Sequence, residues 1–184
     1  MKNLKYFFLV FVVTISAYYG VYRYFKKSPE PQSVKKFDAL NEWEQKGAPD
    51  IQLPTGQSIK ELNGRAFIIH FWASWCGPCV EELPSLVKLA RQFPKDLIIT
   101  AISLDSSHQE MELFLKEQKL QSLSNFIFVH DQEQIIRKNY LINKIPESFI
   151  LDRNFRLKKR IIGNIDWATQ ESFDFFQTLF SSPE

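Results

Sequence analysis

Cys76 and Cys79 are the only two cysteines of the chain, and two residues separate them. The motif follows a nearly continuous apolar run from Phe67 to Trp72, which predicts a buried strand. Apolar residues recur at helical spacing from Val80 to Ala90, which predicts a helix directly behind the motif. A strand that turns into a helix here holds the two sulfurs one helical turn apart. They can therefore form a disulfide and open it again.

The start of the predicted helix favours a negative charge on one of these sulfurs. Backbone N–H groups point outward at a helix N-terminus, and the helix dipole there stabilises anions. Cys76 stands at the first position, so it gains most as a thiolate, which is the reactive form of cysteine. Pro78 fits the first turn, where its missing N–H costs little. The pattern indicates thiol–disulfide exchange.

The small number of cysteines and histidines restricts the other chemistry that the motif could serve. A disulfide scaffold needs several spaced cysteine pairs, and this chain has one pair. A structural zinc site usually needs four ligands, and only His70, His108 and His130 could join the cysteines. Two thiolates and a histidine also suit copper, so copper transport remains an alternative. We expect no metal and no cofactor other than the redox-active disulfide.

Composition limits the size of the protein and the kind of partner. The chain has 184 residues, enough for one domain and a tail. Its net charge of +2 gives no reason to expect a nucleic-acid partner. Hydrophobic residues make up 45% of the chain and include 17 phenylalanines, which permits a substantial core.

The elements that must position the motif can be read along the chain. Residues 48–59, with a Thr55-Gly56 turn, predict an N-terminal β-hairpin. Beyond the motif, we predict strands at 97–104, 126–129, 148–151 and 156–162, and helices at 108–119, 134–141 and near the C-terminus. This alternation of strands and helices predicts an α/β fold.

The residues around the cysteines resemble a known family. The run from Phe71 to Cys79, FWASWCGPC, followed by Glu82 and Pro84, resembles the active-site stretch of thioredoxin. In this form it is most similar to the TlpA/ResA/CcmG-type membrane-tethered thiol–disulfide oxidoreductases. The resemblance covers residues 48–180. It implies a thioredoxin fold with an N-terminal β-hairpin and a central helix–strand insertion at about residues 108–131.

The resemblance also implies a reaction and a place for it. Cys76 attacks a substrate disulfide and Cys79 resolves the mixed disulfide. The partners implied are protein thiol or disulfide substrates and a membrane electron-donor thiol protein. The implied role is reduction on the outer face of a bacterial membrane, with apocytochrome c maturation as one setting. Two alternatives stay open: a disulfide-forming oxidant, and a non-catalytic module that binds haem-maturation or copper partners.

A second segment of the family matches around Ile145 and Pro146. In the family this proline is cis and packs beside the disulfide, so the resemblance implies a substrate-binding role for both residues. A cis bond is nearly confined to X-Pro. Lys144 stands where the family usually has Gly, and Ser148 stands where it usually has Thr. Lys144 therefore adds a cation near the implied substrate groove.

Three further residues are candidates to support the cysteines. Glu82 matches a glutamate that lies near the sulfurs in the ResA-like enzymes, although it could also be an ordinary acid of the first helical turn. His70 replaces the buried Asp or Asn of the family. It could move the proton of Cys79 or simply be a hydrogen-bonded core histidine. Trp75 is expected to line the substrate surface.

The N-terminal segment predicts a membrane anchor. No charged residue occurs from Tyr6 to Tyr22, and basic residues flank this stretch on both sides. We therefore divide the chain into an anchor at 1–27, a linker at 28–36 and a thioredoxin-like domain at 37–184. A cleaved signal peptide is the competing interpretation. The expected location is the bacterial cytoplasmic membrane, with a single-pass anchor and the domain on the periplasmic or extracytoplasmic side.

Overall fold

The computed structural model describes residues 2–27, 32–62, 64–120 and 123–181. Two compact units are present, Met1–Phe37 and Asp38–Glu184. The described helices are α1 (Lys2–Lys27), α2 (Gln32–Lys46), α3 (Gly77–Gln92), α4 (His108–Glu117), α5 (Ile135–Asn139) and α6 (Gln170–Ser181), with a short 3-10 helix at Ile59–Glu61. The described strands are β1 (Ala66–Trp72), β2 (Leu97–Ser103), β3 (Phe126–His130), β4 (Glu147–Leu151) and β5 (Leu157–Ile162).

The N-terminal segment forms one continuous helix, α1. In the part of the chain that the structure describes, no helix has both the length and the apolar character needed to cross a membrane. The predicted linker differs from the structure in its second half. Residues 28–31 lie outside the described residues, whereas residues 32–36 form the first turns of α2. No proline or glycine interrupts the chain from Gln32 to Lys46, so the helix can continue through this stretch.

The five strands form one mixed sheet in the order β3-β2-β1-β4-β5. β1, β2 and β3 run parallel, and β4 and β5 are antiparallel to the strands beside them. β1 is central and every one of its residues is buried. A strand buried on both faces explains why its sequence is nearly continuously apolar.

A hydrophobic cluster covers each face of the sheet. Even-numbered residues of β1, such as Ile68 and Trp72, join the cluster formed with α3, which includes Leu83 and Leu86. Odd-numbered residues, such as Phe71, join the second cluster on the opposite face. The alternation follows from the two-residue period of a strand. Each side chain of β1 is thus assigned to one face.

The predicted N-terminal β-hairpin is reduced to a single bridge between Gln52 and Ser58. The chain turns at Gly56, whose N–H donates to the Leu53 carbonyl. The Ser58 side chain then accepts from the Lys60 N–H and caps the 3-10 helix. The second arm of the predicted hairpin is therefore helical after Ser58 and not an extended strand. The central helix–strand insertion is present as predicted, in the form of α4 and β3.

Candidate active site

The strand–turn–helix predicted around the cysteines is formed by β1, residues 73–76 and α3. Cys76 is the residue that caps the N-terminus of α3, with extended backbone angles and no side-chain capping bond. Its sulfur is bonded to that of Cys79 in a disulfide, and the two Cα atoms are 5.2 Å apart. Cys76 keeps 7% of its surface exposed, whereas Cys79 is fully buried. Cys76 is therefore the more accessible residue of the pair.

Trp75 and the Ile145-Pro146 bond lie at the edge of the sheet from which the cysteine loop emerges. The indole of Trp75 is 67% exposed, as expected for a side chain on a substrate surface. Ile145-Pro146 is a cis peptide bond, as the family resemblance implied. Since Phe71 pairs with Glu147 across β1 and β4, Pro146 lies beside the end of β1. The Pro146 carbonyl accepts from the Gly163 N–H at 2.9 Å.

His70 lies in the middle of β1 and is completely buried. Strand alternation turns it toward the sheet face covered by α3, the face on which Cys79 packs. Its Nδ1 lies 2.8 Å from Ser148 Oγ on the neighbouring strand β4. Nε2 is buried and has no hydrogen-bond partner among the described residues. Burial lowers the pKa of His70 from 6.5 to about 3, so the ring is neutral at physiological pH.

Glu82 lies one helical turn after Cys79 and is 2% exposed. The Trp167 indole N–H donates to Glu82 Oε1, while Oε2 has no geometric partner in the described structure. Burial raises the pKa of Glu82 from 4.5 to about 7, and the contacts with Trp167 and the Ile165 backbone act in the lowering direction. The neighbouring Glu81 is exposed. Because α3 begins at Gly77, neither glutamate lies in the first turn, where they were predicted. Glu82 therefore changes charge close to neutral pH.

Several residues of the site carry no recognisable signal in the sequence. Trp167 meets Glu82 across 85 positions of sequence, so only the fold brings them together. Ser148 stands out only as a departure from the family pattern. Asp105 accepts hydrogen bonds from Ser74, in the loop that precedes Cys76. Its position after a predicted strand was the only signal of this role in the sequence.

The described residues contain no group of three or more histidine, cysteine or acidic side chains that could hold a metal ion. His108 and His130 lie near one another, with ring centroids 5.9 Å apart. His70 bonds to Ser148 instead. The histidines and cysteines thus form no metal-binding group among the described residues.

The sequence of the chain is similar to those of known proteins. Residues 45–160 match the model of the AhpC/TSA family. The sporulation thiol-disulfide oxidoreductase A of Bacillus subtilis is 34% identical over 113 residues, which cover 59% of this chain and 66% of that protein. The thiol-disulfide oxidoreductase ResA of Oceanobacillus iheyensis is 29% identical over 135 residues, 68% of each chain. The match thus spans about two thirds of the length of both relatives.

A solved structure agrees with these matches. The crystal structure of StoA from Bacillus subtilis superposes with a TM-score of 0.57 at 28% identity, covering 73% of this chain and 98% of that one. The likeness therefore covers nearly the whole of that solved structure.

Proposed function

The chain belongs to the AhpC/TSA family, and on that premise we propose that it reduces disulfides of protein substrates. Its thioredoxin fold and its predicted enzyme class, thiol–disulfide oxidoreductase, agree with the relatives described above. One observation carries the proposal. The disulfide lies at the N-terminus of α3, with Cys76 slightly exposed and Cys79 fully enclosed.

The reaction follows from the different positions of the two sulfurs. In the reduced protein, the Cys76 thiolate attacks a substrate disulfide, forms a mixed disulfide and releases one substrate cysteine as a thiolate. The Cys79 thiol loses its proton and attacks the Cys76 sulfur. This step releases the second substrate thiolate and restores the Cys76–Cys79 disulfide. Two electrons have then passed to the substrate, and a donor dithiol protein must return them.

His70 supports the second step in this proposal. When Nδ1–H donates to Ser148 Oγ, Nε2 keeps a lone pair that can accept the Cys79 proton. The ring is neutral at rest and need not lose a proton first. Its pKa of about 3 makes it a weak base, so it accepts the proton only as the Cys79 thiolate forms. The imidazolium that forms then lies on the same face of the sheet as the new thiolate, and the opposite charges stabilise each other.

Glu82 exchanges the proton with solvent near neutral pH. Its pKa of about 7 leaves both protonation states populated there. Its position one turn after Cys79 places it on the same side of α3 as the buried sulfur. We assign it a role in the proton balance of Cys79 rather than in the attack by Cys76.

Trp75, Ile145 and Pro146 form the proposed substrate surface. Trp75 offers an exposed aromatic face beside the nucleophile. The backbone of Ile145 takes part in none of the backbone hydrogen bonds of the described loops, so it can pair with an extended substrate. Lys144 is exposed next to this backbone and favours a substrate with an acidic residue near its cysteine.

The direction of electron flow is tested by turnover. With a dithiol reductant in excess, the full chain should reduce insulin disulfides, and a variant with both cysteines changed to serine should not. No turnover by the unmodified chain would favour the non-catalytic module. Faster oxidation of a reduced peptide than reduction of its disulfide would favour the oxidant. A reduction potential near that of thioredoxin, about −270 mV, is expected for a reductant.

We further propose, from the sequence, that the N-terminal segment anchors the chain in a bacterial membrane, with the catalytic domain outside the cytoplasm and apocytochrome c among its substrates. The uncharged stretch from Tyr6 to Tyr22 and its basic flanks support an anchor. Retention in the membrane after a carbonate wash, with an intact N-terminus, is the expected result. A soluble product that starts near Tyr18 would identify a signal peptide. A C-terminal reporter active only in the cytoplasm would refute the orientation.

A further inference from the structure

A buried carboxylate holds the loop that carries Cys76. Asp105 follows the end of β2 and is 4% exposed. β1 and β2 are parallel, and Trp72 at the end of β1 pairs with Ser103 at the end of β2. The carboxyl ends of both strands therefore meet at one edge of the sheet. This arrangement brings Asp105 against residues 73–76, which connect β1 to α3.

The contacts of this carboxylate are directed at the loop and at its own strand. Oδ1 accepts from the Ser74 backbone N–H at 2.9 Å and from the Ser74 hydroxyl at 2.7 Å. Oδ2 accepts from the Ser103 hydroxyl at 2.7 Å. Hydrogen bonds to an ionised acceptor are roughly twice as strong as neutral ones. Both oxygens are thus engaged, and one of them holds Ser74 by two donors.

Asp105 is itself held in place by the third parallel strand. His130 Nε2 lies 2.9 Å from the Asp105 carbonyl oxygen. A carbonyl can only accept, so Nε2 carries the proton in this contact. On the other side, the Cys76 N–H donates to the Ala73 carbonyl at 3.1 Å and closes the loop. A continuous set of hydrogen bonds therefore runs from β3 through Asp105 to Ser74, two residues before the nucleophile.

We infer that Asp105 is a positioning residue that keeps Cys76 at the N-terminus of α3, and that Ser74 is the group through which it acts. The relevance to catalysis rests on the proposed function, in which Cys76 is the nucleophile. The stabilisation of an anion by a helix terminus falls off within the first turn. A loosened loop would therefore reduce the fraction of Cys76 that is thiolate.

The charge of Asp105 acts in the opposite direction, which makes the inference testable. A nearby carboxylate disfavours a second negative charge. Removing the charge alone would make the Cys76 thiolate easier to form. Losing the position of the loop would make it harder to form. The sign of the change in Cys76 titration therefore distinguishes positioning from electrostatics.

The experiment measures alkylation of Cys76 by iodoacetamide against pH, in the full chain carrying Cys79→Ser. Asp105→Ala removes the acceptor, and Asp105→Asn keeps an amide oxygen for Ser74. Asp131→Ala is the matched control. Asp131 follows the end of β3, is buried like Asp105, and accepts two backbone N–H groups at the start of α5.

For Asp105→Ala, we expect the midpoint of the alkylation profile to rise by about one pH unit, with a rate at neutral pH about tenfold lower. Asp105→Asn removes the charge but keeps an acceptor for Ser74, so its midpoint should fall slightly, whereas Asp131→Ala should remain near the parent. A midpoint that falls or stays unchanged in Asp105→Ala would overturn the inference. So would an equal rise in Asp131→Ala, because it would indicate general loosening. If Asp105→Ala does not fold, Ser74→Ala should raise the midpoint by a smaller amount, and no rise would refute the inference.

Alkylation requires no substrate turnover, so this result and the proposed function can fail separately. An unmodified chain that does not reduce insulin, together with the expected alkylation shifts, would refute the function and leave the positioning role standing. Normal insulin reduction with no shift in Asp105→Ala would refute the positioning role alone.

Discussion

The surroundings of the two sulfurs differ in the kind of group that can stabilise a charge. Cys76 lies at a helix terminus, where the available groups are backbone N–H donors and the loop is held by Asp105. Cys79 is enclosed, and His70 and Glu82 are buried polar side chains on its side of the sheet. The helix terminus does not titrate, whereas buried side chains do. Attack by Cys76 and resolution by Cys79 should therefore respond differently to mutation and to pH.

The two buried groups on the Cys79 side are themselves shifted in opposite directions by the same cause. Burial disfavours the charged form of each, which lowers the pKa of His70 to about 3 and raises that of Glu82 to about 7. Burial therefore favours the neutral form of both the imidazole and the carboxyl group. Only Glu82 titrates near neutral pH.

The largest expected effect is obtained by replacing either sulfur. Cys76→Ser should abolish attack on substrate disulfides, whereas Cys79→Ser should still attack and then accumulate mixed disulfides. The reason is that Cys76 retains some exposed surface, 7%, whereas Cys79 has none. Non-reducing electrophoresis and mass spectrometry of each variant, incubated with an oxidised peptide, would detect the adduct. Adducts formed by Cys76→Ser alone would reverse the assignment.

Replacement of His70 tests the second step. His70→Asn should slow resolution by about a hundredfold, a typical contribution of a general base, and leave attack by Cys76 nearly unchanged. Stopped-flow exchange is followed from about pH 5 to about pH 9, a range that includes the reference pKa of a cysteine thiol, about 8.5, and the rates of the two steps are determined separately. The pH dependence of resolution should change as well.

Thr100→Val is the matched control for His70. Thr100 is another buried polar residue without a partner for its hydroxyl in the described structure, and it lies on the adjacent strand β2. Alternation along β2 places it with Ile98 and Ile102, on the face away from Cys79. Equal slowing in both variants would mean that His70 has only a structural role.

Glu82→Gln should change the pH dependence of stability. A folded-state pKa of about 7, against 4.5 when unfolded, means that the folded state holds the proton more tightly. The free energy of unfolding then falls as pH rises from about 4.5 to about 7, by about 3 kcal/mol in all. Gln carries no such penalty, so the variant should gain stability above about pH 7 and little below about pH 5.

Urea unfolding of the oxidised protein at these two pH values measures this difference. Glu81→Gln is the control, because Glu81 is the exposed acid next to it on the same helix. A pH dependence that is the same in Glu82→Gln and the unmodified chain would show that Glu82 does not titrate as expected.

The smallest expected effect concerns Trp167. Its indole N–H stabilises the carboxylate of Glu82, so Trp167→Phe should raise the Glu82 midpoint further while keeping an aromatic ring in the core. The carboxyl resonance of Glu82, followed by NMR against pH, reports this midpoint directly. Adding Glu82→Gln should remove the titration altogether. A midpoint that moves down in Trp167→Phe would contradict the assigned hydrogen bond.

Local patterns in the sequence determined much of this protein. The continuous apolar run before Cys76 and the helical spacing after it were sufficient to predict β1, α3 and the place of the cysteine pair between them. Strand and turn patterns further along the chain predicted the remaining strands and the α4–β3 insertion. These predictions succeeded because each depends on residues close together in sequence, whose period matches a strand or a helix.

Only the tertiary structure decided how the buried groups are paired. Ser148 reaches His70 because β4 lies antiparallel to β1, and Trp167 reaches Glu82 because the chain before α6 returns to α3. The hairpin prediction was only partly correct because Ser58 caps a 3-10 helix, which a strand pattern does not report. A pKa shift depends on how completely a side chain is removed from water. That removal involves residues far apart in sequence, so the chemistry around Cys79 was set by the fold.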